Sequence, residues 1–317
     1  MKPACFVGFD TSNYTTSASV CTMDGEIVVN LKRPLPVKAG ECGLRQSDAV
    51  FAHVKNLPFI TQELREVLCA YDVRAVGYSA RPRNQENSYM PCFLAGRVAA
   101  ESFASALNLP IYEFSHQDGH VVAACYSSGM MDTLMQAPFA AFHVSGGTTE
   151  MLFVEPHDDT LRISIVGESA DLNAGQAIDR VGVMMGLGFP CGKEMEKLAA
   201  TYTRKIPNFH VSVKNGCCNL SGLQNLAQKL WDEEKSAAKT SAFVFAFLGK
   251  TLQKMTAYLD EQYNALPIVY AGGVMSNRYL QELLSARPNT YFAEPQFSAD
   301  NAAGIALLCR KRYLSRN

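Results

Sequence analysis

Two stretches of the chain read alike, and that likeness constrains the fold more than any other feature. Residues 5–30 begin with Cys5-Phe6-Val7-Gly8-Phe9 and the polar turn Asp10-Thr11-Ser12-Asn13-Tyr14-Thr15-Thr16. They continue through Ser17-Ala18-Ser19-Val20 and Asp24-Gly25 to Glu26-Ile27-Val28-Val29, so the whole reads strand, turn, strand, turn, strand. Residues 139–166 repeat the scheme: Phe139-Ala140-Ala141-Phe142-His143-Val144, the turn Ser145-Gly146-Gly147-Thr148-Thr149, Glu150-Met151-Leu152-Phe153-Val154, and a return strand over 161–166. In a chain of 317 residues, 48% of them hydrophobic and so able to fill two cores, this repeat predicts a duplicated α/β protein. Its two similar subdomains are expected to face a cleft.

Between the repeats the period becomes helical. Val50, Val54, Leu57, Leu64 and Leu68 keep near-helical spacing, with Pro58 expected to kink or split the element. Ala75-Val76-Gly77-Tyr78 reads as a strand and 94–107 as a small-residue helix. Leu248, Leu252, Met255 and Leu259 step along one face of a long helix, with a cap expected near Thr240 or Ser241. A buried strand is expected at 267–271 and a closing helix at 301–313, while the Pro- and Gly-rich segments 34–43 and 186–192 read as functional loops.

Charge narrows the function classes. With 29 Lys+Arg against 30 Asp+Glu, the net charge of -1 leaves no global positive field for nucleic acid or membrane. Basic residues cluster only locally, at Arg81 with Arg83, at Arg204-Lys205 and at Arg310-Lys311-Arg312, each also readable as ordinary solvated charge. Ten scattered cysteines without a C-x-x-C predict reduced, mostly buried thiols in a cytosolic protein. No secretory h-region and no bilayer-length apolar run are present, so a cytoplasmic protein without membrane attachment is expected.

Several groups carry chemistry. His116-Gln117-Asp118-Gly119-His120 follows an apolar strand and Ser115, a good N-cap. In a helix, that spacing sets both imidazoles on one face roughly 5–6 Å apart, close enough to grip one divalent ion. Two half-buried histidines at a helix start fit the same spacing, and Gly119 implies close approach of a backbone or ligand. Val144-Ser145-Gly146-Gly147-Thr148-Thr149 reads as a phosphate cradle or as a plain hairpin. Ala271-Gly272-Gly273-Val274-Met275-Ser276-Asn277 places glycines after a buried strand, at the usual ligand edge of an α/β sheet. Asp300, before the last helix, is either an N-cap or the hard ligand that completes a two-His, one-carboxylate site. Asp179 and Glu196 are candidate ribose acceptors, with Gly192 letting a base or sugar lie against the backbone.

Taken in order, these groups resemble the TsaD family of tRNA N6-adenosine threonylcarbamoyl transferases, formerly the O-sialoglycoprotein endopeptidase or glycoprotease family, in a divergent form. The resemblance runs from Phe6 to about Arg312, through Asp10-Thr11-Ser12, His116/His120, Val144-Ser145-Gly146-Gly147, Ala174-Gly175 with Asp179, Gly192, Ser221-Gly222-Leu223, Ala271-Gly272-Gly273-Val274 with Asn277, and Asp300-Asn301-Ala302-Ala303. It implies an α/β, actin-like (sugar kinase/Hsp70/actin) fold of two ribonuclease-H-like subdomains around a cleft. The expected division is 1–135, carrying the His pair, and 136–317, carrying the nucleotide pocket, with the last helix packing back on the first subdomain. Carried over by residue, it makes His116, His120 and Asp300 ligands of one Fe2+ or Zn2+ ion. Val144, Ser145, Gly146, Gly147, Thr148, Asp179, Gly192, Glu196 and Asn277 become the site for an adenine nucleotide or threonylcarbamoyl-adenylate. Asp10 and Ser12, in the first loop, are the expected catalytic residues. Expected partners are tRNA as substrate and proteins of the threonylcarbamoyl transfer complex, with a homo- or heterodimer as the assembly.

The chain also departs from the family's pattern. The first loop usually reads Glu-Thr-Ser-Cys-Asp-Glu-Thr, and here an acidic pair is missing from Asn13-Tyr14-Thr15-Thr16. Thr148 replaces a histidine, Gln224 a lysine, and Ser79-Ala80-Arg81-Pro82-Arg83-Asn84-Gln85-Glu86-Asn87 occupies the place of a Gly-Pro-Gly turn. The leading expectation is a metal-dependent acyltransferase that moves a threonylcarbamoyl or related carbamoyl group from an adenylate to an amine, foremost a tRNA adenosine beside the anticodon. The alternatives are a non-catalytic assembly or regulatory partner, and a transferase with a non-tRNA acceptor. A zinc peptidase is disfavoured, because Gln117 stands where those enzymes place a general-base Glu after the first His.

Overall fold

The repeat becomes visible in the first strands of the computed structural model, which describes residues 2–36, 44–157 and 160–316. In chain order the elements are β1 (Ala4–Thr11), β2 (Thr15–Thr22), β3 (Ile27–Pro34), α1 (Gln46–Leu68), β4 (Asp72–Arg81), α2 (Phe93–Ala106), β5 (Ile111–Ser115), α3 (His116–Ser127) and α4 (Met131–Leu134). There follow β6 (Phe139–Val144), β7 (Thr149–His157), β8 (Thr160–Glu168), α5 (Ala174–Met184), α6 (Gly192–Ala200), and the two-residue strands β9 (Val213–Lys214) and β10 (Cys217–Cys218). The chain ends through α7 (Ser221–Glu234), α8 (Ala237–Tyr263), β11 (Ile268–Ala271), a 3-10 turn (Gly273–Ser276), α9 (Arg278–Leu284), β12 (Thr290–Phe292), α10 (Pro295–Ser298) and α11 (Ala303–Arg316). Of the loop expected at 34–43, residues 37–43 lie outside the described residues.

Both large sheets have one wiring. The first runs β3-β2-β1-β4-β5 and the second β8-β7-β6-β11-β12. In each, the leading strand pairs antiparallel with its hairpin partner and parallel with the strand that returns on its other side. Leading strands that are apolar on both faces belong in the middle of a covered sheet. Accordingly β1 is buried from Cys5 through Thr11, and only His143 of β6 keeps partial exposure.

The chain divides into two compact units, Met1–Met131 with Pro156–Arg162 and Gln296–Asn317, and Asp132–Glu155 with Ile163–Pro295. Helix α11 lies in the first unit. Contact with β1 places it there: a Cβ at Gly8 would meet the Ala306 nitrogen at 2.5 Å, so only glycine lets the helix backbone lie on the strand. The core of the first unit gathers Val7, Phe9, Ile60, Leu64 and Val76; that of the second gathers Phe142, Met151, Leu252, Met255 and Tyr270.

Two helices depart from the expected detail. Helix α1 runs unbroken through Pro58, with the Thr61 hydroxyl donating to the Leu57 and Pro58 carbonyls at 2.9 and 3.1 Å. Its buried face is Ala49, His53, Ile60 and Leu64, and Val54 is exposed. Helix α8 starts earlier than expected, because Ser236 is its N-cap and accepts the Lys239 N–H. Thr240 and Ser241 are instead buried within it.

Candidate functional site

Local rules build the start of α3. Ser115 accepts the Asp118 N–H at 3.1 Å while Asp118 accepts the Ser115 N–H at 3.1 Å, a reciprocal capping box. The helix therefore begins at His116, and the i, i+4 rule sets His116 and His120 on one face. Gly119 serves close approach of a backbone: a Cβ at Gly304 of α11 would fall on the Gly119 carbonyl, so α3 and α11 cross at a pair of glycines. That crossing brings the start of α11, and Asp300 just before it, to the histidines.

The side chains converge. His116 Nε2 and His120 Nε2 lie 2.9 Å apart, and Asp300 Oδ1 lies 3.2 Å from His120 Nε2 and 3.7 Å from His116 Nε2. Asp300 does not cap α11, because Asn301 Oδ1 accepts the Ala303 N–H and leaves both Asp300 oxygens for the site. The other faces of these ligands are held from β1. Asp10 Oδ2 accepts from His116 Nδ1 at 2.7 Å and from the Ser79 hydroxyl, and Asp10 Oδ1 accepts the Ser12 N–H at 3.1 Å. Ser12 Oγ in turn donates to Asp300 Oδ2. Asp10 and Ser12, the expected catalytic residues, thus sit directly behind two of the three ligand candidates.

Burial opposes charge on His116, but Asp10 and then Asp300 outweigh it and raise its pKa to about 10. Burial likewise opposes ionisation of Asp300, yet hydrogen bonds from His116 and His120 hold its carboxyl well below the usual range. Positive charge is thus favoured among these groups, the place a divalent cation would take. The donor set fits such an ion. Bonds of ~2.0–2.1 Å in tetrahedral array imply donor separations of roughly 3.3 Å, the middle of the observed spread. Among the described residues, His116, His120 and Asp300 form one group of potential ligand atoms within 4.8 Å of one another.

A third histidine, overlooked in the sequence, lies behind the loop. His53 of α1 is fully buried, its Nδ1 2.8 Å from Thr16 Oγ1 and its Nε2 2.7 Å from the Ser12 carbonyl. Asn56 Nδ2 donates to Thr16 Oγ1 at 3.2 Å, and Gln46 Nε2 to Asn13 Oδ1 at 2.8 Å. The signal was present: Gln46, His53 and Asn56, spaced by 7 and 3, share one helix face.

The segment at the place of the Gly-Pro-Gly turn also reaches the site, since Asn84 Nδ2 donates to Asp118 Oδ2 at 2.6 Å and the Pro82 carbonyl accepts the Gln117 N–H. Arg81 pairs with Glu113 at 3.1 Å, Arg312 donates to the Glu113 carbonyl and Arg310 to that of Met23. These basic residues are tied to their own unit.

The second unit collects the expected nucleotide residues. Ser145-Gly146-Gly147-Thr148 is a tight hairpin turn, with Ser145 N–H donating to the Thr148 carbonyl at 2.7 Å and Ser145 Oγ accepting the Gly147 and Thr148 N–H groups. The start of α5 abuts this turn: Gly175 N–H donates to the Ser145 carbonyl, and a Cβ at Gly175 would meet the Gly146 nitrogen at 2.6 Å. Gly272, with φ of 98°, lets the end of β11 close against the Val144 backbone. Asp179 accepts the Cys191 N–H at 2.8 Å, beside Gly192, and burial raises its pKa. Glu196 accepts the Arg278 N–H at 2.7 Å and Asn277 caps α9 through the Leu280 N–H, so those two meet at one helix start.

The model of the family "tRNA N6-adenosine threonylcarbamoyltransferase", TsaD, matches residues 48–307. The chain belongs to the TsaD family. TsaD-family relatives include the tRNA N6-adenosine threonylcarbamoyltransferases of Streptococcus suis strains 05ZYH33 and 98HAH33, each 29% identical over 328 residues, covering all of this chain and 95% of the relative. Among solved structures, T. kodakarensis HypF matches 99% of the chain with a TM-score of 0.65 at 10% identity, covering 48% of its own length. Full-length HypF in a phosphate- and nucleotide-bound form matches 98% with a TM-score of 0.59 at 12% identity, covering 56% of its length. The chain thus spans about half of each HypF chain. The fold is the actin-like, sugar-kinase-like one, and the TsaD family to which the chain belongs is a family of transferases. No helix among the described residues is long and apolar enough to cross a membrane.

Proposed function

We propose that this protein transfers a threonylcarbamoyl group from its adenylate to the N6 amine of a tRNA adenosine, using a divalent ion, Fe2+ or Zn2+, held by His116, His120 and Asp300. The observation that carries the reading is the convergence of those three donors, with Asp10 and Ser12 gripping the far atoms of His116 and Asp300. An ion bound there supplies Lewis acidity toward the carbamoyl carbonyl or the threonyl carboxylate. The protein's own part is to orient. Asp10 fixes which nitrogen of His116 faces the ion, and Ser12 fixes which oxygen of Asp300 does so.

In the second unit, Val144, Ser145, Gly146, Gly147 and Thr148 offer a short backbone turn to the adenylate phosphate, and Asp179, Gly192, Glu196 and Asn277 line the nucleoside part. The N6–C bond forms as the C–O bond to the phosphate breaks, AMP departs, and the N6 proton leaves with solvent or the departing phosphate. An exocyclic amine needs positioning more than a protein nucleophile. The intact donor triad favours a working enzyme over an assembly subunit, and Gln117 disfavours a peptidase. Cytoplasmic location and protein partners of the transfer complex go with this reading.

Nucleoside mass spectrometry tests it. Unmodified tRNA for codons beginning with adenosine is incubated with threonylcarbamoyl-adenylate and the protein, alone and with partner subunits, beside His116→Ala. Threonylcarbamoyladenosine that disappears in the variant is the expected result. A metal-loaded, adenylate-binding protein that makes none would point to a different acceptor, and one that binds neither would be a scaffold.

A further inference from the structure

We propose that His53 is a positioning residue of the metal centre, holding the β1–β2 loop so that Asp10 and Ser12 aim His116 and Asp300 at one point. The inference rests on the metal reading above and adds a residue that touches none of the ligands. Ser12 is 2% exposed and all three of its polar groups are committed: N–H to Asp10 Oδ1, hydroxyl to Asp300 Oδ2, carbonyl to His53 Nε2. A shift of this one residue therefore disturbs both the carboxylate behind His116 and the hydroxyl behind Asp300.

The hydrogen-bond roles at His53 have one consistent assignment. A carbonyl only accepts, so Nε2 carries a proton, and in the neutral ring Nδ1 is then the acceptor. Thr16 Oγ1 then donates to Nδ1, and its oxygen receives the Asn56 Nδ2–H. Chain and loop interlock through a neutral imidazole in a single tautomer, consistent with the downward pull of burial on its pKa. The other members of the α1 buried face are Ala49, Ile60 and Leu64, so an imidazole there is explained by these two bonds rather than by packing alone. Gln46 adds a second tie from α1, donating to Asn13 Oδ1 and accepting the Cys92 N–H. Where the family's first loop carries an acidic pair, this loop is held by neutral groups of α1.

The test compares cobalt binding to the full chain and its variants, because Co2+ reports coordination geometry through its visible absorption without needing turnover. His53→Phe keeps a buried ring and removes both bonds. We expect its Co2+ affinity to fall about 10–100-fold, as for other residues that orient metal ligands, with an altered absorption band and unchanged far-UV circular dichroism. His53→Gln, which returns a donor to the Ser12 carbonyl, should recover most of the affinity, and the exposed-site control Val54→Ser should match the wild type. Should His53→Phe not fold, Thr16→Val, which removes the donor to Nδ1, carries the test with a several-fold loss. Wild-type affinity and spectrum in His53→Phe, or in Thr16→Val where that variant stands in, would overturn the proposal alone, as would an equal loss in Val54→Ser. Failure of the wild type to bind Co2+, Zn2+ or Fe2+ would overturn the metal reading and this proposal with it.

Discussion

At the scale of single residues, two of the three ligand candidates, His116 and Asp300, are held on their far sides. His116 can meet an ion with Nε2 only because Nδ1 is taken by Asp10, a carboxylate with no side-chain exposure. Asp10→Asn keeps the shape and weakens the acceptor, so metal affinity should fall about 10–100-fold with little change in fold, as titration calorimetry would read. A second carboxylate acts on stability. Burial raises the pKa of Asp171, but the Ser221 hydroxyl and the N–H groups of Leu220, Ser221 and Leu172 outweigh it and hold the value at about 2. A folded pKa below the ordinary 3.8 contributes stability above that value and loses it as pH falls toward 2. Asp171→Asn should therefore lower Tm at pH 7, and the gap from wild type should close between about pH 4 and 2. Asp171 is largely exposed, so the effect will be modest and screened by salt.

At the scale of elements, the crossing of α3 and α11 decides whether three donors meet. The two glycines are not equivalent. A Cβ at Gly119 meets the Ile305 Cδ1 atom at 2.9 Å, the movable end of a side chain, whereas one at Gly304 strikes the Gly119 carbonyl, which is backbone. Gly304→Ala should cost about 1–3 kcal/mol or more in chemical denaturation and abolish tight metal binding, since it parts Asp300 from the histidines. Gly119→Ala should be far milder, because it regains about 1 kcal/mol of helix propensity against the clash. The same scale explains α1. Its Pro58 does not split it, and beyond the proline Ile60 and Leu64 pack into the core of the first unit.

At the scale of the whole molecule, the candidate ligand groups divide between the units: the metal triad with Asp10, Ser12 and His53 in the first, the adenylate set in the second. A ligand that binds only folded protein stabilises it by about 2.7 kcal/mol at a hundred times its Kd. Differential scanning calorimetry should therefore show a divalent ion raising the transition of the first unit and AMP that of the second. His120→Ala should lose only the first response. With a net charge of -1 and Arg81, Arg310 and Arg312 engaged within the first unit, tRNA affinity of the isolated chain should be weak beside that measured with partner subunits in a filter-binding titration.

Features set by neighbours in the chain were legible from sequence. Alternating and continuous apolar runs marked the repeated strands, Ser115 marked the start of α3, and the i, i+4 interval put His116 beside His120. Those rules act over a few residues, where backbone geometry leaves little choice. Other features depended on packing between distant segments. Asp300 reached the histidines across 180 residues, Ser12 and Asp10 turned out to sit behind the ligands, and His53 entered the site at all, because buried polar groups must find partners wherever the fold brings them. The cap of α8 slipped to Ser236 for the opposite reason: Thr240 and Ser241 lie on a face that the core covers. The sequence by itself therefore determined the duplicated frame and the paired imidazoles, while the approach of Asp300 to them followed from the glycines that let α3 and α11 touch, and the groups behind His116 and Asp300 followed from the packing of β1 and α1.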